Sequence, residues 1–137
     1  MMYFVGIDIA KYKHDCFIFT SEGEVICESF TFENNSSGFT KLQMVLDSLD
    51  HSHKIKIGLE ATGIYGKNLK FFLSSIGYDF DEINPLQVKR FSSSLTNRKT
   101  KTDKIDASHI ARFISTGASR TYVYSSYHTE ALKQLTR

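Results

Sequence analysis

The sequence predicts a single α/β domain built on a mixed sheet, and three observations carry that prediction. Residues 3–9 form a nearly unbroken apolar run, as a strand covered on both faces requires. Two more short apolar segments follow across hinges of only a few residues, KYKHD and SEGE, which permit antiparallel returns and little else. Segments with helical spacing then alternate with strand-like ones, the order that extends a sheet with parallel strands. At 137 residues, with 41% hydrophobic and 23% charged positions, the chain suits one folded core. No apolar run approaches the roughly 20 residues of a membrane-spanning helix, so no membrane partner is expected. The opening MMYFVGIDIA has no basic stretch before its apolar residues, which argues against an export signal and for the cytoplasm.

Taken in order, residues 3–9, 16–20 and 25–32 are expected as a three-strand antiparallel meander with the first strand inside the sheet. With Glu22-Gly23 as the hairpin turn, Cys27 faces Ile18 and Cys16 faces Ser29. The thiols then lie diagonally, roughly 7–8 Å apart, too far for an unstrained disulfide, so both are expected as free, buried apolar residues. Asn34-Asn35-Ser36-Ser37-Gly38 offers capping chemistry to a helix whose stripe is Phe39, Leu42, Val45, Leu46 and Leu49. Ile55, Ile57 and Leu59 alternate with Lys56, Gly58 and Glu60 as a fourth strand, which should lie parallel beside the first. A second helix carries Tyr65, Leu69, Phe72, Leu73 and Ile76, with Gly77 at a left-handed C-cap. Residues 78–83 read as a further strand. Pro85 opens a helix toward Phe91, and Ser92-Ser93-Ser94 with the basic residues after them read as a loop. A last helix should begin at Asp103 and end near Gly117, with Asp103, Asp106, Ala107, Ile110 and Ile114 on one face.

Two pairs of acids stand out. Asp8 sits among Phe4, Val5, Gly6, Ile7 and Ile9, where a charge is costly without a partner. A lone aspartate at a strand end often caps a loop, but Glu60 ends the strand placed about 4.8 Å away, so the two carboxylates meet at one sheet edge. Asp103 and Asp106 would turn inward as their helix packs on the sheet, although helix N-terminal aspartates often only complement the dipole. Four converging acids repel unless a divalent cation fills the site, and all-oxygen ligation favours Mg²⁺ or Mn²⁺. Two such ions activate a nucleophile and stabilise the leaving oxygen of a phosphodiester.

The segments GIDIAKYKHD, GLEATGIYG and KTKTDKIDASHIARF resemble, in order and spacing, the DEDD-type transposases of bacterial insertion sequences. The N-terminal domain of that family is similar to the RuvC Holliday-junction resolvase, a ribonuclease H-like fold. Three ordered motifs, the last of the form TDxxDA, make the resemblance specific, and it covers nearly the whole chain. It implies that Asp8, Glu60, Asp103 and Asp106 are a metal-binding catalytic tetrad. It also implies DNA as substrate, a guide RNA encoded by the element, and a homo-oligomer in the full-length protein. Family members continue into a C-terminal helical domain with a nucleophilic serine. Residues 1–117 are accordingly expected as the catalytic domain, and residues 118–137 as a connecting segment and the start of a helix leading onward.

Charge is unevenly spread. Lys89, Arg90, Arg98, Lys99 and Lys101 fall between residues 84 and 102 with no acid among them, while acids outnumber bases elsewhere. The stretch suits the phosphates of DNA or RNA, or is a solvated surface. His14, His51, His53, His109 and His128 match no zinc spacing, and Cys16 and Cys27 do not complete one. His109 either approaches the phosphate or packs on a loop. Tyr122, Tyr124 and Tyr127 either stack on bases or cover a domain edge. Gly63 and Gly66 allow backbone to approach a phosphate, or serve only the turn. Two other classes remain open: a nucleic-acid-binding module with a structural ion, and an actin-like kinase or ATPase lobe. The second needs a glycine-rich phosphate hairpin, where this chain has Ile9-Ala10-Lys11-Tyr12.

Overall fold

A computed structural model describes residues 1–60, 63–95 and 106–117. β1 (Met2–Asp8) is the middle strand of a five-stranded sheet ordered β3-β2-β1-β4-β5. It pairs antiparallel with β2 (Lys13–Thr20), which pairs antiparallel with β3 (Val25–Glu33), giving the expected meander. After α1 (Ser36–Asp47), β4 (Lys54–Glu60) joins β1 in parallel, with Gly6 opposite Gly58 and Ile7 opposite Leu59. After α2 (Lys67–Ser75), the short β5 (Asp81–Ile83) adds in parallel to β4. α3 (Pro85–Leu95) and α4 (Ala107–Ser115) complete the order. This is the mixed α/β sheet flanked by helices that the sequence predicts.

Period-two alternation divides the sheet into two apolar faces. Tyr3, Val5, Ile7, Cys16, Ile18, Ile57 and Leu59 pack against Phe39, Leu42 and Leu46 of α1 and Leu69 and Leu73 of α2. Phe4, Phe17 and Phe19 point the other way, onto Ala107, Ile110, Ala111, Phe113 and Ile114 of α4 and Val88 of α3. Asn35 caps α1 by accepting from the Gly38 N–H at 2.9 Å, and Gly77, at φ +90°, follows the end of α2 as expected.

Several local expectations need correction. Ser92–Ser94 are helical: Asn84 accepts the Leu86 N–H at 2.8 Å on its side chain to start α3, and Phe91 packs edge-on against Phe113, so tertiary packing overrides the weak propensity of the serines. Lys89 and Arg90 lie exposed on α3, within the helix expected to run from Pro85 toward Phe91. The fifth strand starts at Asp81 rather than at 78, and Tyr65 precedes α2 instead of joining its buried stripe. Ile18 faces Cys27 as expected, but a register shift in β3 sets Cys16 opposite Phe30 instead of Ser29. Both cysteines are free; Cys16 is buried and Cys27 only half-buried. Arg98, Lys99, Lys101 and Asp103, the tyrosines at 122, 124 and 127, and residues 118–137 lie outside the described residues.

Candidate active site

Parallel pairing fixes the first half of the site. Leu59 is registered against Ile7, so β1 and β4 run out together at Asp8 and Glu60. Their side chains share the sheet face of Phe4, Gly6, Lys56 and Gly58, which α4 covers. Burial pushes the Glu60 carboxyl above its ordinary range; the neighbouring Asp8 charge and a hydrogen bond with Asp8 push it further the same way. The two acids are thus in direct contact at half-buried positions, as the sequence predicts.

Gly6 brings the start of α4 close. A Cβ at that position would lie 2.2 Å from the Ala107 carbonyl oxygen and 2.5 Å from the Ala111 nitrogen, so the first turns of α4 rest directly on β1. Two residues further along the same strand face is Asp8, and immediately before Ala107 is Asp106.

Asp106 departs from the expectation of an inward-facing helical residue. It is the N-cap of α4, in extended conformation, and its side chain is 57% exposed. Its carboxylate accepts from the Ser108 hydroxyl and from the His109 N–H at 3.1 Å, while its own N–H donates to His109 Nδ1 at 3.2 Å. Burial raises its pKa, but these hydrogen bonds and the nearby His109 outweigh that and hold the carboxyl below its ordinary range. His109 fills the place a glutamate usually takes in a capping box. Its role is therefore to close the start of α4.

Asp15, Arg112 and Lys56 were not singled out from the sequence, and His14 was weighed only as a zinc ligand. Asp15 lies opposite Asp8 in the hairpin register and accepts from the Thr31 hydroxyl at 2.6 Å. The alternation Asp15, Phe17, Phe19 was the available signal. Asp15, Glu28, Asp106, Ser108 and Arg112 line an open groove of about 510 Å³. The Arg112 guanidinium lies 5.6 and 5.1 Å from the Phe17 and Phe19 ring centroids. The strand pattern places Lys56 on the face of Gly58 and Glu60; its Nζ lies 3.7 Å from Asp81 Oδ2 and 3.5 Å from the Ile114 carbonyl, tying the far end of α4 to the sheet. His14 is buried and accepts the Ala10 N–H on Nδ1 at 3.2 Å, bracing the turn that follows Asp8.

Two contacting carboxylates, one with its charge disfavoured, are donors that suit a hard divalent cation. Among the described residues no set of three His, Cys, Asp or Glu side chains converges as metal ligands. No helix among them is long and apolar enough to cross a membrane.

A family model described as "Transposase", of the DEDD type, matches residues 5–137. The chain is 35% identical over 112 residues to a pilin gene-inverting protein of Moraxella bovis, and 34% identical over 111 residues to that of Moraxella lacunata. Each match covers 80% of this chain and 33% of the relative, so the chain spans about a third of the length of the curated relatives it matches. With its mixed sheet ending in Asp8 and Glu60, this chain belongs to the DEDD transposase family.

Proposed function

We propose that this chain is the metal-dependent catalytic domain of a transposase that cleaves and rejoins DNA strands. The contact between Asp8 and Glu60 at adjacent strand ends carries the reading, because it gathers negative charge where phosphoryl transfer needs a cation. Asp8 and Glu60 supply oxygen ligands from the sheet, and Asp103 and Asp106 complete the set from the segment leading into α4. Bound Mg²⁺ or Mn²⁺, two ions in the full site, supplies nucleophile activation and stabilisation of the leaving oxygen. Lys89, Arg90, Arg98, Lys99 and Lys101 hold the phosphate backbone against the repulsion of the acids. The full-length protein works as a homo-oligomer in the cytoplasm with a guide RNA encoded by its element.

Thermal unfolding with Mn²⁺ tests the centre. Binding to the folded state at about 100 times Kd adds roughly 2.7 kcal/mol of stability. Asp8→Asn should lose most of that gain. Without metal the same variant should be more stable than wild type at neutral pH. The sign follows from Glu60: a carboxyl whose folded pKa is raised carries a penalty that grows as pH rises through that pKa, and removing the Asp8 charge relieves it. Equal Mn²⁺ shifts for both proteins would sink the metal reading.

A salt titration of DNA binding tests the basic residues. Each phosphate contact contributes about 0.9 to the slope of log affinity against log salt on duplex DNA. Neutralising Arg98, Lys99 and Lys101 together should make the slope shallower by about two to three units across unrelated sequences. An unchanged slope would make the stretch a solvated surface.

A further inference from the structure

We propose that Tyr12, Ile64 and Tyr65 form a platform for an unpaired base of the DNA strand beside the Asp8–Glu60 pair, an inference that rests on reading the pair as a strand-cleaving centre. The turns carrying these side chains directly follow β1 and β4, the strands that end in the two acids. Tyr12 is 74% exposed, Ile64 77% and Tyr65 43%, large side chains left in water on two adjoining turns.

The turns beneath them are built firmly. Asn34, just past β3, donates its backbone N–H to the Tyr12 carbonyl at 2.9 Å. Its side-chain amide donates to the Lys11 carbonyl at 3.0 Å and to the Tyr65 carbonyl at 3.2 Å. One residue thus clamps both turns to each other. Ile9 packs beneath Gly66, where a Cβ would come within 2.5 Å of Ile9 Cδ1. The rings are displayed on a fixed base, which lowers the ordering cost of binding to them.

Charge and shape select the occupant. Lys11 Nζ lies 5.1 Å from the Tyr12 ring centroid, and exposed Lys13 and Lys67 follow Tyr12 and Gly66 in the chain. Aromatic faces among cations suit stacked bases with phosphates alongside. A base inside an intact duplex has both faces already covered, so the platform favours an unpaired base, as found at a gap or branch.

The test uses the 137-residue chain with DNA carrying 2-aminopurine in a short single-stranded gap, beside the fully paired duplex, in buffer without divalent metal. Wild type should bind the gapped DNA more tightly and change the 2-aminopurine fluorescence. The double variant Tyr12→Ala/Tyr65→Ala should lose roughly 5- to 50-fold in affinity for gapped DNA while keeping its duplex affinity. Tyr12→Phe should retain the wild-type preference, since its ring still stacks. Wild-type binding and fluorescence in the double variant, or an equal loss on both DNAs, would overturn the platform. So would a change in sedimentation caused by the double variant, because the rim would then join copies of the chain. The Mn²⁺ thermal shift is read separately, so failure of the carboxylate centre and failure of the platform are distinguishable.

Discussion

Gly6→Ala is expected to destabilise the protein by about 3 kcal/mol, at the upper end of what one added methyl costs in a packed core. The new Cβ would meet the backbone of α4 at Ala107 and Ala111, and no side-chain rotation relieves a backbone contact. α4 must lift from β1, opening the layer formed by Phe4, Ala107, Ile110 and Ala111. Asp106 would move away from the face carrying Asp8 and Glu60, so the Mn²⁺ stabilisation should fall along with the midpoint in urea. Gly58→Ala is the control. Its Cβ would meet a side-chain methyl, Ile114 Cγ2 at 2.6 Å, rather than helix backbone, so its cost should be the smaller of the two. Equal losses in the two variants would show that the backbone contact of α4 on β1 is not what Gly6 provides.

Lys56→Met should cost about 3 kcal/mol, because it removes the ammonium 3.7 Å from the carboxylate of Asp81, whose side chain is only 4% exposed. The Lys56 contact with the Ile114 carbonyl is lost as well, freeing the C-terminal end of α4. Adding Asp81→Leu should restore most of the stability, since an apolar pair of similar size avoids burying a charge. Denaturant unfolding of both single variants and the double variant checks this through their coupling energy. Additive losses would mean that the two groups do not interact.

The acidic pair was legible before any coordinates because it depends on two local patterns and one topological rule. The apolar run that begins at Tyr3 and the alternation Ile55, Ile57, Leu59 mark the strands, and both end in a carboxylate. Once a helix separates them, a parallel pairing brings those ends together. The cysteines were legible for the same reason on one side only: Ile18 opposite Cys27 follows from the turn, but the register shift in β3 depends on the packed sheet and moves Cys16 to Phe30.

What the sequence by itself determined is thus the order of elements, the faces of the strands and the meeting of Asp8 with Glu60. The role of Asp106 needed the tertiary structure, since residues at spacings of three and four fit a helical face whether Asp106 lies inside the helix or caps it. The observed cap comes from hydrogen bonds with Ser108 and His109 at the point where α4 settles onto Gly6. Only the packed structure likewise extended α3 through Ser92–Ser94, where the contact of Phe91 with Phe113 outweighs local propensity. Local patterns decide which residues can be strand or helix; where an element begins, and which way its terminal side chain turns, is decided by the neighbour it packs against.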